Sequence, residues 1–173
     1  MNLQNCADLN GMELSDMEQL IELDERAVQL GIEGGSDKDV IVQMYRRLRE
    51  LDYVEESYLA AVLEREQVYP TGLPLADQLG VAIPHTDAIH VRKPAIGVGQ
   101  LRTPVAFQVM GSPGQTIDTH LVFMLAVKDP QQQITMLERL MGMFQQRAVM
   151  AQLKNAAASA DVIRLMQEQL NLA

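Results

Sequence analysis

The chain has 173 residues, 47% of them hydrophobic, with one cysteine and no tryptophan. That is one ordinary domain with enough apolar surface for a buried core, and no stretch approaches the roughly 20 apolar residues of a membrane span. Lys and Arg number 14 against 23 Asp and Glu, a formal net charge of −9, which argues against nucleic acid as a partner and for a basic protein surface. The start Met1-Asn2-Leu3-Gln4-Asn5 has no basic segment leading into an apolar one, so a soluble, cytoplasmic protein is expected. The single Cys6 excludes an internal disulfide and fits a reducing compartment. Its place near the terminus argues against a nucleophilic role.

Along the chain, Ser15-Asp16-Met17-Glu18 has capping-box form beside a short apolar stripe, which reads as a small helix or a frayed extension. Ala27 to Ile32 reads as a first strand closed by Gly34-Gly35. Ser36-Asp37-Lys38-Asp39 opens a helix whose Val40, Ile41, Met44, Leu48 and Leu51 share one face. A second helix is expected over Glu55 to Glu66, with acidic residues in its first turn, Leu59, Val62 and Leu63 as its buried stripe, and Arg65 in its last turn. Tyr69 to Leu79 is a loop punctuated by Pro70, Gly72 and Pro74.

Val81-Ala82-Ile83 is a short strand, and Pro84 disfavours helix at Ile83, so the strand should end at His85. Ala95 to Leu101 and Val105 to Val109 read as two strands separated by Arg102-Thr103-Pro104, and Gly111-Ser112-Pro113-Gly114 as a turn. His120 to Val127 is almost wholly apolar, as a central strand covered on both faces should be. After Asp129-Pro130 come three helical patterns, around Ile134 to Phe144, Ala148 to Leu153 and Val162 to Leu170. The third quarter carries Met136, Met141, Met143 and Met150, read as core packing. Interleaved strands and helices imply an α/β layer architecture, a single domain with a mixed central sheet flanked by helices.

The segment that carries chemistry is Ile83-Pro84-His85-Thr86-Asp87-Ala88-Ile89-His90. It presents an imidazole at a strand terminus. Histidine can be a neutral nucleophile near pH 7, and its two ring nitrogens let one be held while the other reacts. Judged by itself, a histidine beside apolar residues is more often a hydrogen-bonded structural group than a catalyst. The surrounding motifs decide the matter. The sequence resembles the enzyme IIA components of the fructose-mannitol (type 2) class of the bacterial sugar phosphotransferase system, most strongly the galactitol-type members. In that family an (Ala/Val)-Ile-Pro-His element carries the phosphorylated histidine, and the galactitol branch continues it as Ile-Pro-His-x-x-Ala-Ile-His. Three further segments match in order: Asp52-Tyr53-Val54-Glu55 with Val62-Leu63-Glu64-Arg65-Glu66, then Tyr69-Pro70-Thr71-Gly72-Leu73, then Asp129-Pro130-Gln131-Gln132-Gln133. The match runs from about Ala27 to Leu170, leaving residues 1–24 as an extension of unknown role before a phosphocarrier domain at 25–173.

The resemblance implies the same α/β architecture and a phosphotransferase that works through a phosphohistidine. His85 would accept the phosphoryl group on Nε2, with Nδ1 held by a hydrogen bond, from the histidine-containing phosphocarrier protein. It would pass the group to a cysteine of enzyme IIB, with the membrane enzyme IIC involved only indirectly and no metal or organic cofactor required. The transported compound would be galactitol. Arg65 matches the family's loop-proximal arginine, and a guanidinium fork suits phosphoryl oxygens; its alternative is to complement the helix end. Thr71 is a candidate hydroxyl donor to phosphate. Gln133 stands where mannitol and fructose members place a second histidine, and its neutral amide can only hydrogen-bond. His90 is a candidate phosphate contact or a loop residue, and His120 reads as structural.

Two other readings stay open. His85, Asp87, His90 and His120 could supply zinc ligands, although their spacing fits no compact motif. A regulatory module, as in the nitrogen-related branch of the family, would keep the His85 chemistry without transporting a sugar.

Overall fold

The computed structural model describes residues 21–172, so the segment around Ser15 and Cys6 lies outside the described residues. A short 3-10 turn, Glu25–Ala27, leads into β1 (Val28–Ile32). Helix α1 (Asp37–Glu50) is capped by Ser36, whose Oγ accepts from Asp39 N–H at 3.2 Å, while the Asp39 carboxylate accepts from Gly35 N–H at 3.1 Å. This reciprocal capping is what the Ser-Asp-Lys-Asp run specified. Val40, Ile41, Met44 and Leu48 are buried as expected, and Leu51 ends the helix half-buried as its C-cap.

Helix α2 spans Tyr58–Val68, three residues later than the expected start at Glu55. Val54 bridges Val91 in antiparallel fashion and Glu55 N–H donates to the His90 carbonyl at 2.8 Å. A long-range strand contact therefore keeps the acidic residues out of the first turn. The fully buried positions of α2 are Tyr58, Val62 and Glu66, with Leu59 and Leu63 only partly covered.

The expected loop from Tyr69 to Leu79 contains a two-residue strand, β2 (Leu73–Pro74), and a short 3-10 turn, Ala76–Gln78. Then come β3 (Gly80–Ala82), β4 (Ala95–Gln108) and β5 (Thr116–Ala126). The two strands expected on either side of Arg102-Thr103-Pro104 are one 14-residue strand, β4. The three residues are exposed, and the β4–β5 register shifts between Gln100 and Val105, so the interruption is absorbed as an irregularity within one long hairpin. The turn at Gly111 to Gly114 closes that hairpin, with Gly111 and Gly114 at φ +72° and +83°.

The sheet order is β1-β4-β5-β3-β2, with β1 parallel to β4, β4 antiparallel to β5, β5 parallel to β3 and β3 antiparallel to β2. β5 is central, and its side chains alternate. Leu121, Phe123 and Leu125 face one core with α3 (Pro130–Phe144), α4 (Arg147–Asn155) and α5 (Ser159–Leu170). Val122, Met124 and Ala126 face the other core with α1 and α2. The result is three layers, a mixed sheet between helices. Gly99 on β4 permits the close seat of α1, since a Cβ there would lie 2.8 Å from Met44 Sδ. Met136, Met143 and Met150 are buried in the first core, whereas Met141 is exposed.

Candidate functional site

Strands β3 and β5 run parallel, and beyond β3 the chain continues along β5: Leu125 N–H donates to the Pro84 carbonyl at 3.0 Å and His85 bridges Leu125. The Leu125 carbonyl in turn accepts from the buried Tyr58 hydroxyl at 2.6 Å. Helix α2 is thereby bolted to the strand end on which His85 sits, and α3 begins four residues after β5 ends. The crevice beyond the carboxyl ends of adjacent parallel strands is the usual place for a functional group in an α/β sheet.

His85 is 7% exposed. Its Nδ1 lies 2.7 Å from the carbonyl oxygen of Ile83. A carbonyl can only accept, so Nδ1 carries the hydrogen and Nε2 is left with its lone pair. Burial pushes the imidazole below its ordinary value of 6.5, and the positive charge of Arg65 pushes the same way, while the Ile83 bond and Asp87 oppose it. The ring is thus neutral near pH 7, in the tautomer that makes Nε2 the nucleophilic atom.

Arg65 stands in the last turn of α2. Its Nε is buried and has no hydrogen-bond partner among the described residues, and its guanidinium lies over the Tyr69 ring, 5.6 Å from the centroid. Stacking on an aromatic face holds the group without using its N–H donors. A buried cationic donor near a neutral imidazole is suited to an arriving anion.

The other expected residues divide. The Thr71 hydroxyl hydrogen is taken: Oγ1 donates to the Glu66 carboxylate at 3.0 Å and accepts from Ile83 N–H at 3.0 Å. Thr71 is buried, and these bonds make it a brace beneath the His85 strand. Gly72 makes its turn possible, because a Cβ there would lie 2.4 Å from the Gln108 carbonyl oxygen. His90 closes a short 3-10 turn, Ala88–His90, and its Nδ1 lies 2.8 Å from Ser57 Oγ at the start of α2. Gln133 is half-buried in the first turn of α3, which Asp129 caps by accepting from Gln131 N–H at 2.7 Å.

His120 lies beside Gly80, whose N–H donates to its Nδ1 at 3.2 Å. Five residues of strand separate that level from His85, about 16 Å. The quartet of His85, Asp87, His90 and His120 is therefore not gathered, and among the described residues no three His, Cys, Asp or Glu side chains form a metal-holding group. Nor, among them, is any helix long and apolar enough to cross a membrane.

Sequence reasoning missed Tyr58 and Glu66. The signal was present, since residues 58, 62 and 66 are spaced by four and so share one helix face. Glu66 was passed over as a charge, although burial raises its carboxyl to about 7.

Comparisons with known proteins agree with this fold. The family model described as phosphoenolpyruvate-dependent sugar phosphotransferase system, EIIA 2, matches residues 22–169. The galactitol-specific EIIA component from Escherichia coli is 32% identical over 119 residues, 69% of this chain and 78% of that protein. Among solved structures, the complex of mannitol enzyme IIA with phosphorylated enzyme IIB from Escherichia coli gives a TM-score of 0.69 at 22% identity, covering 86% of this chain and 99% of the matched one. The crystal structure of mannitol enzyme IIA from the same organism gives 0.66 at 21% identity, covering 84% and 99%. The ordered motifs, the mixed sheet and a family match over most of the chain lead to one conclusion: the chain belongs to the EIIA 2 family of the phosphoenolpyruvate-dependent sugar phosphotransferase system, whose EIIA components are phosphotransferases.

Proposed function

We propose that this protein accepts a phosphoryl group on His85 Nε2 from the histidine-containing phosphocarrier protein and passes it to a cysteine of enzyme IIB. The observation that carries the reading is the 2.7 Å bond from His85 Nδ1–H to the Ile83 carbonyl, which leaves Nε2 as the atom with a lone pair. In the first step Nε2 attacks phosphorus in line, and the donor nitrogen leaves with the electron pair of the broken P–N bond. The ring gains positive charge, and the Ile83 carbonyl, already bonded to Nδ1–H, stabilises it. Arg65 neutralises the phosphoryl oxygens, which is most of what such a transfer asks of a protein. In the second step a cysteine thiolate attacks phosphorus and the Nε2–P bond breaks, returning the lone pair to Nε2. Gln133, from the first turn of α3, is the proposed neutral hydrogen-bond donor to the phosphoryl oxygens, and His90 a further contact through Nε2.

Exposed apolar residues support a protein partner. Val68 and Tyr69 follow Arg65 closely, Ile89 follows His85 and Ile134 follows Gln133; Ile89 is 81% exposed. The solved complex of a mannitol enzyme IIA with phosphorylated enzyme IIB supports enzyme IIB as that partner. The work would be done in the cytoplasm, with enzyme IIC served indirectly. Galactitol is the proposed substrate of the whole system, on the 32% identity to a galactitol-specific EIIA component. The family match over residues 22–169 supports a phosphocarrier domain, proposed here at 25–173 after an extension over 1–24; the match begins three residues before that boundary. Intact-protein mass after incubation with phosphoenolpyruvate, enzyme I and the phosphocarrier protein tests the reading. One acid-labile phosphoryl group on the wild type and none on His85→Ala is expected; no gain by a folded wild type would overturn it.

A further inference from the structure

Glu66 is a buried carboxylic acid in the last turn of α2, only 6% exposed. A carboxylate is disfavoured there twice, by burial and by the negative end of the helix dipole. Among the described residues its hydrogen-bond partners all belong to Thr71: Oε1 accepts from Thr71 N–H at 2.9 Å, and both carboxylate oxygens lie 3.0 Å from Thr71 Oγ1. Thr71 Oγ1 accepts from Ile83 N–H, and the Ile83 carbonyl accepts from His85 Nδ1–H. Four groups are thus linked in series, from a buried acid to the ring nitrogen that fixes the His85 tautomer.

A hydroxyl has one hydrogen and two lone pairs. Donating that hydrogen to Glu66 turns a lone pair toward Ile83 N–H; without the acceptor the rotor is unconstrained and the residue bearing the His85 tether loses its hold. We propose that Glu66 is a positioning residue for His85, acting through Thr71 to fix the Ile83 backbone to which the imidazole donates. The inference rests on the reading of His85 as phosphoryl acceptor. Facing Glu66 are Asp37 and Lys38 from the start of α1, Gln108 from β4, Thr71, and its own neighbours Arg65 and Gln67. Asp37 opposes ionisation and Arg65 favours it. With the carboxyl at about 7, acidification puts a proton on one carboxyl oxygen and leaves the other to accept from Thr71 without charge assistance, so the relay weakens in the range where His85 is still neutral.

The test uses the full chain and the variants Thr71→Val, Thr71→Ser and Glu66→Gln. Nitrogen NMR of the imidazole should show one His85 tautomer, hydrogen on Nδ1, in the wild type and Thr71→Ser, exchange between both in Thr71→Val, and a smaller admixture of the second in Glu66→Gln, whose neutral amide oxygen accepts from Thr71 more weakly than a carboxylate. Single-turnover transfer from the phosphorylated carrier protein should slow about tenfold in Thr71→Val and stay within about twofold in Thr71→Ser. The ratio of wild-type to Glu66→Gln rates, in which the donor's own titration cancels, should fall as pH drops through about 7. A wild-type ring spectrum in Thr71→Val overturns the proposal, as does slowing that Thr71→Ser fails to rescue. Should Thr71→Val not fold, the Glu66→Gln ring spectrum and rate ratio decide alone, and a wild-type spectrum with a pH-independent ratio overturns it. A wild type that takes no phosphoryl group overturns the phosphocarrier reading instead, while the ring spectra still decide the positioning role.

Discussion

The parallel pair β3–β5 carries a histidine at each end, and the two are opposites in chemistry. At one end His85 Nδ1 faces the Ile83 carbonyl and donates; at the other, His120 Nδ1 faces Gly80 N–H and accepts. Burial holds both rings below 6.5, so both are neutral near pH 7. The tautomers differ: Nε2 bears the lone pair in His85 and the hydrogen in His120. A backbone group facing one nitrogen thus decides whether a buried histidine can attack phosphorus or serves to tie a strand. The cation differs in use as well. Arg65 depresses His85 from a site where its own Nε is unpartnered among the described residues, whereas the charge that depresses His120 is Lys154 on α4.

The largest contrast should come from removing each ring. His85→Ala should lose all phosphoryl uptake by mass, and His120→Ala should keep it; a folded His120→Ala without uptake would break the comparison. Next in size, Gly80→Ala at the His120 end places a Cβ 2.1 Å from the Asp118 carbonyl oxygen. Backbone against backbone cannot yield cheaply, so a loss of about 3 kcal/mol is expected in denaturant midpoints, with uptake per folded molecule unchanged.

Acid should also separate the ends. Glu66 titrates at about 7 against an ordinary 4.5, so its stabilising contribution is fully present below about 4.5 and is lost as pH rises through about 7. His85 and His120 act in the other direction, since their neutral forms are favoured in the fold: their contribution is present above 6.5 and lost as pH falls through their lowered values. Subtracting the Glu66→Gln profile removes the histidines, and the difference should amount to at most about 3 kcal/mol in favour of the acid side. Equal profiles would show that Glu66 does not titrate in this window. Smallest of all, Arg65→Lys should slow uptake about tenfold, because a point charge replaces a planar fork; unchanged kinetics would leave Arg65 as a helix-end charge.

Much of this was legible in the sequence. Pro84 after Val81-Ala82-Ile83 marked a strand, which ends at Ala82 with one further bridge at the expected His85; the apolar run from His120 marked the central strand, and Ser36 and Asp129-Pro130 marked two helix starts. What escaped had a tertiary cause. The Val54–Val91 bridge delays α2, and the hydrogen bonds of a long hairpin carry β4 through Thr103-Pro104, where local propensity calls for a break. Thr71 looked like a free hydroxyl because nothing in its neighbourhood of sequence shows that Glu66 and Ile83 have already claimed it.

The seat of Arg65 on Tyr69 has a practical consequence. The sequence has no tryptophan and four tyrosines, so ultraviolet emission near 300 nm comes from tyrosine alone, and Tyr69 is the one that reports on the guanidinium stacked against it. Under the proposed role of Arg65, a phosphoryl group on His85 that draws the guanidinium away would change the quenching of that ring. On the proposed mechanism, tyrosine emission would then gauge phosphorylation in a stopped-flow cell without a label.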